Sequence, residues 1–376
     1  MQLQKLVLRS FRNYEEEEIA FGPKINWITG DNAQGKTNLL EAIGLLSTGR
    51  SFRTCHLGDL IREGANEFSL QAFFLKDGVT QSLSLTYDGK NRRIQHNSTN
   101  YASFLPLLGM FPSIILVPED ISLIMGSPSE RRRFMDLHIA QLDPLYVHHL
   151  GRYYKALKQR NALLKIEGDA LLSPWEQILA KAGSYLVVKR KQMIATLLPI
   201  VAKLAYSFTK EEENLHMSYE SPYKEENREE TLANKMLEHL QKTRKRDRLL
   251  KTTLSGPHRD DLALAINGKE AKSFCSEGQK RCVLTALRFG QWFIFKEQLQ
   301  CAPLMGIDDF AIHLDHSRRR SLFEEMGQFA QSFLTSPHLD YSSEKEDIHP
   351  ICICQGRINH FPYASAERRL ALEGKP

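Results

Sequence analysis

Residues 30–37 have the types and spacing of a phosphate-binding loop, G-x-x-x-x-G-K-T. Two glycines in this pattern allow the backbone to turn its N–H groups inward, where phosphate oxygens can sit. Lys36 can reach the β- and γ-phosphates, and the Thr37 hydroxyl can hold Mg²⁺. The pattern therefore predicts ATP and Mg²⁺ as cofactors. The predicted nucleotide-binding residues of this loop are Gly30, Asp31, Asn32, Ala33, Gln34, Gly35, Lys36 and Thr37.

The segments on either side of the loop fit the same chemistry. Residues 25–29 form a short apolar run typical of a strand, and residues 38–46 have helical spacing. Strand, loop and helix is the order that brings a helix N-terminus, with its partial positive charge, to the phosphate site. A glycine-rich turn without a ligand is the alternative, and this context argues against it.

A second group of candidate residues follows an apolar strand predicted over residues 303–307. This strand ends in Asp308 and Asp309. Hydrolysis of ATP needs a carboxylate near Mg²⁺ and a group that orients the attacking water. We expect Asp308 to take the first role and Asp309 the second, although a strand that simply runs into a polar loop would look similar.

A third candidate lies at the start of a helix predicted over residues 277–298. Ser276 and Gly278, followed by Gln279, would give a hydroxyl and an open backbone at a helix N-terminus, which is a second anion site. A plain helix cap is the alternative interpretation. Asp315 is likewise either part of the site or the cap of a following helix.

Composition limits the class of protein. The chain has 376 residues, 42% of them hydrophobic and 25% charged, with a formal net charge of +5. This charge permits binding to nucleic acid but does not require it. The six cysteines form no C-x-x-C pair, so the sequence indicates neither a zinc site nor a redox motif. With no signal peptide and no apolar run of membrane-spanning length, we expect a cytoplasmic protein without membrane contact.

The organisation of the chain is expected to be an α/β sheet interrupted by helices. Residues 1–117 carry strand patterns around the phosphate loop, residues 118–250 are mostly helical, and strand–helix alternation returns over 251–376. The middle segment is interpreted as a helical insertion or arm. It has no sustained heptads, so a long coiled coil is not expected.

Several stretches together resemble a known family. They are residues 30–43, 49–53, 118–136, 255–262 and 276–281. In this order they resemble the ABC-type ATPases of the SMC and Rad50 class and, within that class, the RecF family of bacterial recombination mediators. The resemblance extends over nearly the whole chain.

The resemblance implies an ABC-type ATPase head with an inserted helical domain. It also implies an ATP-dependent homodimer, in which Ser276, Gly278 and Gln279 touch the γ-phosphate bound by the other subunit, and in which Asp315 lies at the dimer interface. The expected activity is a slow, DNA-dependent ATPase that binds duplex DNA or single/double-strand junctions. The expected roles are DNA repair, replication, recombination and the SOS response, with RecR and RecO as partners.

Some residues depart from the family pattern. Gly306 interrupts the apolar strand, Ile312-His313 precede Leu314-Asp315, and residues 335–338 leave the γ-phosphate sensor undefined. We also find no glutamine near residues 118–120, where an ABC-type ATPase carries its Q-loop. These departures bear on the rate of hydrolysis more than on ATP binding.

Basic residues give a weaker prediction of the DNA contacts. The candidates are Arg50, Arg53, Arg92 and Arg93, with further basic runs at 131–133 and 242–248. Exposed charge is more often a solvated face than a binding site. In the absence of a helix-turn-helix or zinc-finger pattern, any contacts should be to the phosphate backbone.

Two other functions remain open at this point. A phosphotransferase acting on a small substrate would use the same loop without a dimer, although no second substrate pocket is evident in the sequence. A purely architectural tether of the SMC type is disfavoured by the lack of a long coiled coil.

Overall fold

The computed structural model describes residues 1–166, 171–209, 214–223, 226–309, 323–337 and 348–359. The chain divides into two compact units. The first comprises Met1–Phe104, Met110–Val117 and Cys301–Pro376, and the second comprises Leu105–Gly109 and Pro118–Gln300. The division near residue 118 agrees with the sequence-based boundary. Residues 251–300, which we expected with the C-terminal part of the head, lie in the second unit instead.

The strands and helices agree closely with the sequence pattern. In chain order the strands are β1 (Gln2–Phe11), β2 (Tyr14–Ala20), β3 (Ile25–Thr29), β4 (Phe68–Lys76), β5 (Val79–Tyr87), β6 (Arg92–His96), β7 (Thr99–Tyr101), β8 (Ser113–Leu116), β9 (Leu215–Glu220), β10 (Asp261–Ile266), β11 (Lys269–Glu270), β12 (Leu304–Ile307), β13 (Ser332–Ser336), β14 (Ile348–Cys354) and β15 (Arg357–Asn359). The α-helices are α1 (Lys36–Thr48), α2 (Ser122–Met125), α3 (Pro128–Leu142), α4 (Pro144–Leu163), α5 (Leu172–Thr209), α6 (Glu229–Lys242), α7 (Arg244–Leu249), α8 (Ala271–Phe274) and α9 (Glu277–Gln298).

The first unit contains two six-stranded sheets. One is antiparallel, with the strand order β2-β1-β4-β5-β6-β7. Strand β4 alternates buried and partly exposed side chains, which is the period of a sheet with one face on a core. The other sheet has the order β15-β14-β3-β13-β12-β8, and only β15 is antiparallel to its neighbour.

The parallel sheet positions the candidate site. Strand β3 lies between β13 and β14, and β12 follows β13. Every residue of β12 and β13 is buried, as expected for parallel strands that are covered on both faces. The carboxyl ends of β3, β13 and β12 meet at one edge of the sheet, which is where open α/β sheets bind ligands.

The second unit is mostly helical. Helix α5 spans 38 residues with Pro199 inside it, and α4, α6 and α9 pack against it. A small antiparallel sheet of β9, β10 and β11 completes the unit. Helix α9 is buried along most of its length. Because α9 packs on α5, the segment after residue 250 belongs with the helices that precede it rather than with the sheet that follows.

Candidate nucleotide-binding site

The phosphate loop has the backbone that its glycines permit. Gly30 and Gly35 have φ angles of 149° and 120°, a region that residues with a side chain rarely adopt. A Cβ atom on Gly30 would lie 2.2 Å from the carbonyl oxygen of Ile353, and one on Gly35 would lie 2.9 Å from the side chain of Asn13. A side chain at position 30 would therefore clash with the backbone, and one at position 35 would displace the Asn13 side chain. Between them, Asp31, Asn32 and Ala33 are exposed.

Two side chains from the β1–β2 turn hold the loop by its carbonyl groups. Asn13 Nδ2 donates to the carbonyl of Gln34 at 2.8 Å, and Tyr14 OH donates to the carbonyl of Gly35 at 2.8 Å. Tyr14 is fully buried, and burial raises the pKa of its phenol far above the usual value. It therefore stays a neutral donor at any ordinary pH.

The turn between β14 and β15 holds the other side of the loop. The Gly356 N–H donates to the carbonyl of Gln34 at 2.9 Å, and the Gln355 N–H donates to the Gln34 side chain. These contacts are made by backbone groups, so their geometry depends on the turn rather than on side-chain type. Both turns therefore hold the loop through acceptor groups of Gln34 and Gly35.

The N-terminus of α1 has the features of an anion site. Gly35 is the N-cap residue, no side chain caps the helix, and its first turn contains no acidic residue. The first N–H groups of a helix have no intrahelical partner and carry partial positive charge. Lys36 is buried at this point, with Nζ 2.6 Å from the carbonyl of Gly30 and 2.9 Å from that of Asp31. An ammonium group and unpaired amides thus converge on the loop.

The predicted partner carboxylate reaches the loop. Thr37 Oγ1 donates to Asp308 Oδ2 at 2.8 Å, across 271 residues of sequence. Thr335 Oγ1, from the end of β13, donates to the other oxygen, Asp308 Oδ1, at 2.6 Å. Because β13 lies between β3 and β12, the Thr335 hydroxyl is well placed to orient the Asp308 carboxylate.

Asp309 follows directly in a left-handed backbone conformation, with φ of 51°. Its N–H donates to Thr335 Oγ1 at 2.8 Å, and its side chain is partly exposed. Thr335 therefore fixes both carboxyl-bearing residues at the end of β12. The sequence leaves the γ-phosphate sensor within residues 335–338 undefined. Within the part of that segment that the structure describes, Thr335 is hydrogen-bonded to both aspartates.

The side chains at this edge fit Mg²⁺. The Thr37 hydroxyl and the Asp308 carboxylate are hard oxygen donors whose atoms already lie within hydrogen-bond distance. Mg²⁺ is usually held by one or two protein oxygens, with phosphate oxygens and waters completing its shell. The described residues contain no cluster of three or more His, Cys, Asp or Glu that could hold a metal by themselves.

The departure at Gly306 has a packing reason. A Cβ atom there would lie 2.6 Å from Ile115 on the neighbouring strand β8 and 3.3 Å from Leu40 of α1. A side chain at this position would therefore require Ile115, and to a smaller extent Leu40, to move. The residues Ile312, His313, Leu314, Asp315 and His338 lie outside the described part of the chain.

Ser276, the third candidate, begins α9 with a capping box. Its hydroxyl accepts a hydrogen bond from the Gln279 N–H at 3.3 Å, and the Gln279 side chain accepts one from the Ser276 N–H at 2.8 Å. The helix-cap alternative is therefore present in the structure. It does not exclude an anion role, because a serine hydroxyl that accepts a bond still has a proton to donate.

The four candidate DNA-binding arginines lie in different surroundings. Arg50 and Arg92 are exposed. Arg53 donates to Asn38 Oδ1 at 2.9 Å, and Arg93 lies 3.6 Å from Glu67. All four belong to the first unit, and they lie in the segment that follows α1 or on β6.

The other basic runs contain residues with internal partners. Arg131 makes a two-pronged ion pair with Asp261, with both distances 2.7 Å. Arg244 pairs with the buried carboxylate of Glu176 and bonds to Ser173. These two arginines stabilise the helical unit and are weak candidates for DNA contacts, a distinction that counting charges along the sequence could not make.

Sequence reasoning missed the residues that support the loop. Asn13, Tyr14 and Thr335 lie 21 to 27 residues from the atoms they contact. The sequence offers one signal, the polar Arg12-Asn13-Tyr14 turn between two strand patterns, and its role at the site depends on tertiary packing. The structure also shows that no helix in its described part is long and apolar enough to cross a membrane.

Comparisons with known proteins identify the family to which this chain belongs. The family model described as the RecF/RecN/SMC N terminal domain matches residues 2–355. The DNA replication and repair protein RecF of Protochlamydia amoebophila is 42% identical over 337 residues, which cover 89% of this chain and 94% of that protein. RecF of Chlamydia caviae is 36% identical over 361 residues, covering 96% and 98% of the two chains.

Two solved structures, one of RecF and one of an SMC head, also match this chain. A structure of the recombination mediator protein RecF with ATP, from the RecFOR pathway, matches with a TM-score of 0.88 at 31% identity over 96% of this chain and 98% of that one. An SMC head bound to the winged-helix domain of ScpA matches at a TM-score of 0.56 and 14% identity over 96% and 97% of the two chains, which shows the shared fold alone.

The fold is thus that of an ATPase head of the SMC class, with an inserted helical region. The chain belongs to the RecF/RecN/SMC family and, within it, to the RecF proteins.

Proposed function

We propose that this protein is an ATP-dependent DNA-binding recombination mediator that acts in DNA repair and replication. The proposal rests on one observation above all, the contact between Thr37 and Asp308 beside a preformed phosphate loop. That contact joins the two halves of an ATPase site from distant parts of the sequence. It is supported by relatives named DNA replication and repair protein RecF and by the RecF–ATP structure of the RecFOR pathway.

In this proposal the loop amides and Lys36 bind the phosphates of ATP. Thr37 and Asp308 would hold Mg²⁺, which when bound neutralises charge on the β- and γ-phosphates. Thr335 keeps the Asp308 carboxylate turned toward Thr37. Asp309 would orient the water that attacks the γ-phosphate, and we propose a slow, DNA-dependent ATPase for the assembled site.

A second subunit would complete the pocket. Ser276, Gly278 and Gln279 of one chain would contact the γ-phosphate bound by the other, so that ATP closes a homodimer. Asp315 is proposed to lie at the same interface. The dimer would clamp duplex DNA or a single/double-strand junction through backbone contacts that include Arg50, Arg53, Arg92 and Arg93. RecR and RecO are the proposed protein partners in loading a recombinase at gaps.

The first test measures sedimentation and DNA affinity with ATP, with ADP and without nucleotide at fixed salt. We expect dimers and tighter DNA binding only with ATP. Lys36→Met should abolish both effects, because it removes the ammonium that reaches the phosphates. A chain that stays monomeric with saturating ATP and magnesium, or that binds DNA equally well in all three conditions, contradicts the proposal.

A mixing experiment tests the shared site. Lys36→Met removes one half of the pocket, and Ser276→Arg blocks the other half while leaving ATP binding to the monomer nearly intact. A mixed dimer of the two variants regains one complete site, so ATPase activity should partly return on mixing. A small-molecule phosphotransferase that works as a monomer would show no such recovery, and this outcome would favour that alternative.

A further inference from the structure

Helix α4 has a basic face that the ATPase site does not use. The opposite face of the helix is buried inside the helical unit, with Tyr146, Tyr153, Ala156, Leu157 and Arg160 at helical spacing. The residues between them are exposed to solvent and line up along one side of the helix. We call this exposed face the α4 stripe, and it consists of His148, Gly151, Arg152, Lys155, Lys158 and Gln159.

The cations of the α4 stripe have no carboxylate of their own helix beside them. Among the described helices of more than four residues, α4 alone contains no aspartate or glutamate. Within the described part of the chain, Arg152, Lys155 and Lys158 are exposed and form no ion pair. A charged helix that is only a solvated face more often carries both signs.

The acidic side chains bonded to α4 are already paired with other cations. These ion pairs are Asp136–Arg190, Asp143–Lys189, Glu176–Arg160 and Asp247–Arg160, with distances of 2.7 to 3.1 Å. Glu229 of α6 acts electrostatically on His149, which lies outside the α4 stripe. Among the described residues, the stripe therefore keeps its positive charge in contact with solvent.

Gly151 lies within the α4 stripe without a packing reason for being glycine. Glycine inside a helix destabilises the helix relative to alanine. A Cβ atom at Gly151 would meet nothing within 4 Å, whereas one at Gly183 of α5 or at Gly290 of α9 would meet a neighbour at 2.7 Å. Close packing thus explains those two glycines but not Gly151. An exposed glycine among cations allows an anionic chain to approach the helix backbone closely.

We propose that the α4 stripe binds the phosphate backbone of duplex DNA. This inference rests on the proposed DNA-binding function and adds a contact surface on the helical unit to the arginines of the first unit. Arg152, Lys155 and Lys158 follow one another at intervals of roughly 4.5 Å along the helix, so they can face neighbouring phosphates of one strand, which are about 3.4 Å apart along the duplex axis. A protein partner would need apolar anchors at the centre of the contact, and the stripe contains none.

The test measures the affinity of the full chain for duplex DNA, with ATP present, over a series of salt concentrations. The double variant Arg152→Gln/Lys155→Gln removes two charges and keeps exposed side chains that favour a helix. We expect its affinity to be about tenfold weaker at physiological salt. The slope of log affinity against log salt should become shallower by about 2, since each phosphate contact contributes about 0.9. Affinity for ATP, measured by calorimetry, should not change.

Two further variants separate the α4 stripe from general effects. Lys203→Gln/Lys235→Gln removes the same charge from exposed lysines of α5 and α6 in the same unit, and it should leave the salt slope unchanged. Gly151→Gln should raise the melting temperature, because glutamine favours a helix and its Cβ atom has open space. The same side chain would stand between the helix and the duplex, so affinity for DNA should fall by about threefold or more.

The contrary outcomes are distinct. An unaltered chain that binds no duplex in the presence of ATP contradicts the proposed function and this inference together. If the unaltered chain binds duplex but the Arg152/Lys155 variant keeps both its affinity and its salt slope, only the α4 stripe is wrongly assigned. An equal loss in the Lys203/Lys235 variant, or an unchanged affinity in Gly151→Gln, would likewise overturn the assignment. If the Arg152/Lys155 variant keeps duplex binding but loses binding to polyglutamate, the stripe serves an acidic protein instead.

Discussion

Helices α1 and α9 both begin at a predicted phosphate site, yet they begin in opposite ways. Helix α1 starts at Gly35 with no side-chain cap and no acid in its first turn. Helix α9 starts at Ser276 with a complete capping box and Glu277 in its first turn. The first N–H groups of α1 are left to a ligand, whereas at the start of α9 the Ser276 side chain accepts a hydrogen bond from one of them.

Because α1 has no side-chain cap, other parts of the protein must hold its start and the loop before it in place. An uncapped helix start costs stability unless other groups hold it. At α1, Asn13, Tyr14 and the Gly356 N–H fix the preceding loop by donating to its carbonyls, and the free N–H groups of the helix remain for an anionic ligand to accept from. The start of α9 needs no such support. We therefore expect changes around α1 to affect nucleotide binding first, and changes at the start of α9 to affect the helix cap and the dimer.

The largest expected effect is that of Gly35→Ala. The new Cβ atom would meet Asn13 at 2.9 Å and Tyr14 OH at 3.0 Å, and its φ of 120° is unfavourable for alanine. We expect unfolding free energy to fall by about 1–3 kcal/mol. ATP affinity should fall by about a hundredfold, roughly 2.7 kcal/mol, because the supports of the loop are displaced. Calorimetric titration with ATP and chemical denaturation measure the two quantities.

Gly78→Ala is the matched control for this change. Gly78 also has a positive φ, 76°, but a Cβ atom there meets nothing within 4 Å. It should cost about 1–2 kcal/mol of strain and leave ATP affinity unchanged. If both variants lose ATP affinity equally, the contacts between the loop and the β1–β2 turn do not matter for binding.

The second prediction concerns Thr335→Val, which keeps the shape but removes the hydroxyl. Asp308 would lose a donor and the Asp309 N–H would lose its acceptor in a buried position. A lost hydrogen bond to a charged group costs about 1.5–3 kcal/mol. We expect the ATPase rate to fall more than ATP affinity, since the loop itself is untouched. Thr335→Ser should restore the rate, and failure to do so would mean that the hydroxyl has no positioning role.

These supports also mark where prediction from the sequence stops. The phosphate loop, its strand and helix, and the Asp308-Asp309 strand end are local patterns that residue type and periodicity reveal. The contact between Thr37 and Asp308 was expected, because the loop chemistry requires a carboxylate. Asn13 and Thr335 are ordinary polar residues at strand ends. Thr335 reaches Asp308 because β13 pairs with β12, and Asn13 reaches Gln34 through a tertiary contact of the β1–β2 turn.

The helical unit shows the same contrast between local patterns, which the sequence reveals, and long-range contacts, which it does not. The bounds of α9 follow from its spacing, and the structure has the helix over the expected residues, Glu277–Gln298. Its packing on α5 is a long-range contact without a local signal, so the sequence pattern does not indicate which compact unit holds residues 251–300. The basic residues show the same limit, since Arg131 and Arg244 bind carboxylates that lie 130 and 68 residues away.

The third prediction tests the support of the loop without creating a clash. Asn13→Ala removes the bond to the Gln34 carbonyl and the one accepted from Asn38 Nδ2, both 2.8 Å. Two neutral hydrogen bonds are worth about 1 kcal/mol each, so stability should fall by about 1–2 kcal/mol. ATP affinity should fall about tenfold by titration, because the carbonyl that fixes the loop is released. Asn97→Ala, at another turn of the same unit, removes one side-chain bond and should leave ATP affinity unchanged.

The smallest expected effect separates the two roles of Ser276. Ser276→Ala removes the cap and should cost about 1 kcal/mol of unfolding free energy, whereas Ser276→Asp keeps a good cap and should cost almost nothing. A negative charge at this position would repel a phosphate of the partner subunit, while alanine only withdraws a donor. ATP-dependent dimerisation, followed by sedimentation, should therefore rank serine above alanine and alanine above aspartate. If dimerisation instead follows stability, with aspartate equal to serine, Ser276 serves the helix and not the phosphate.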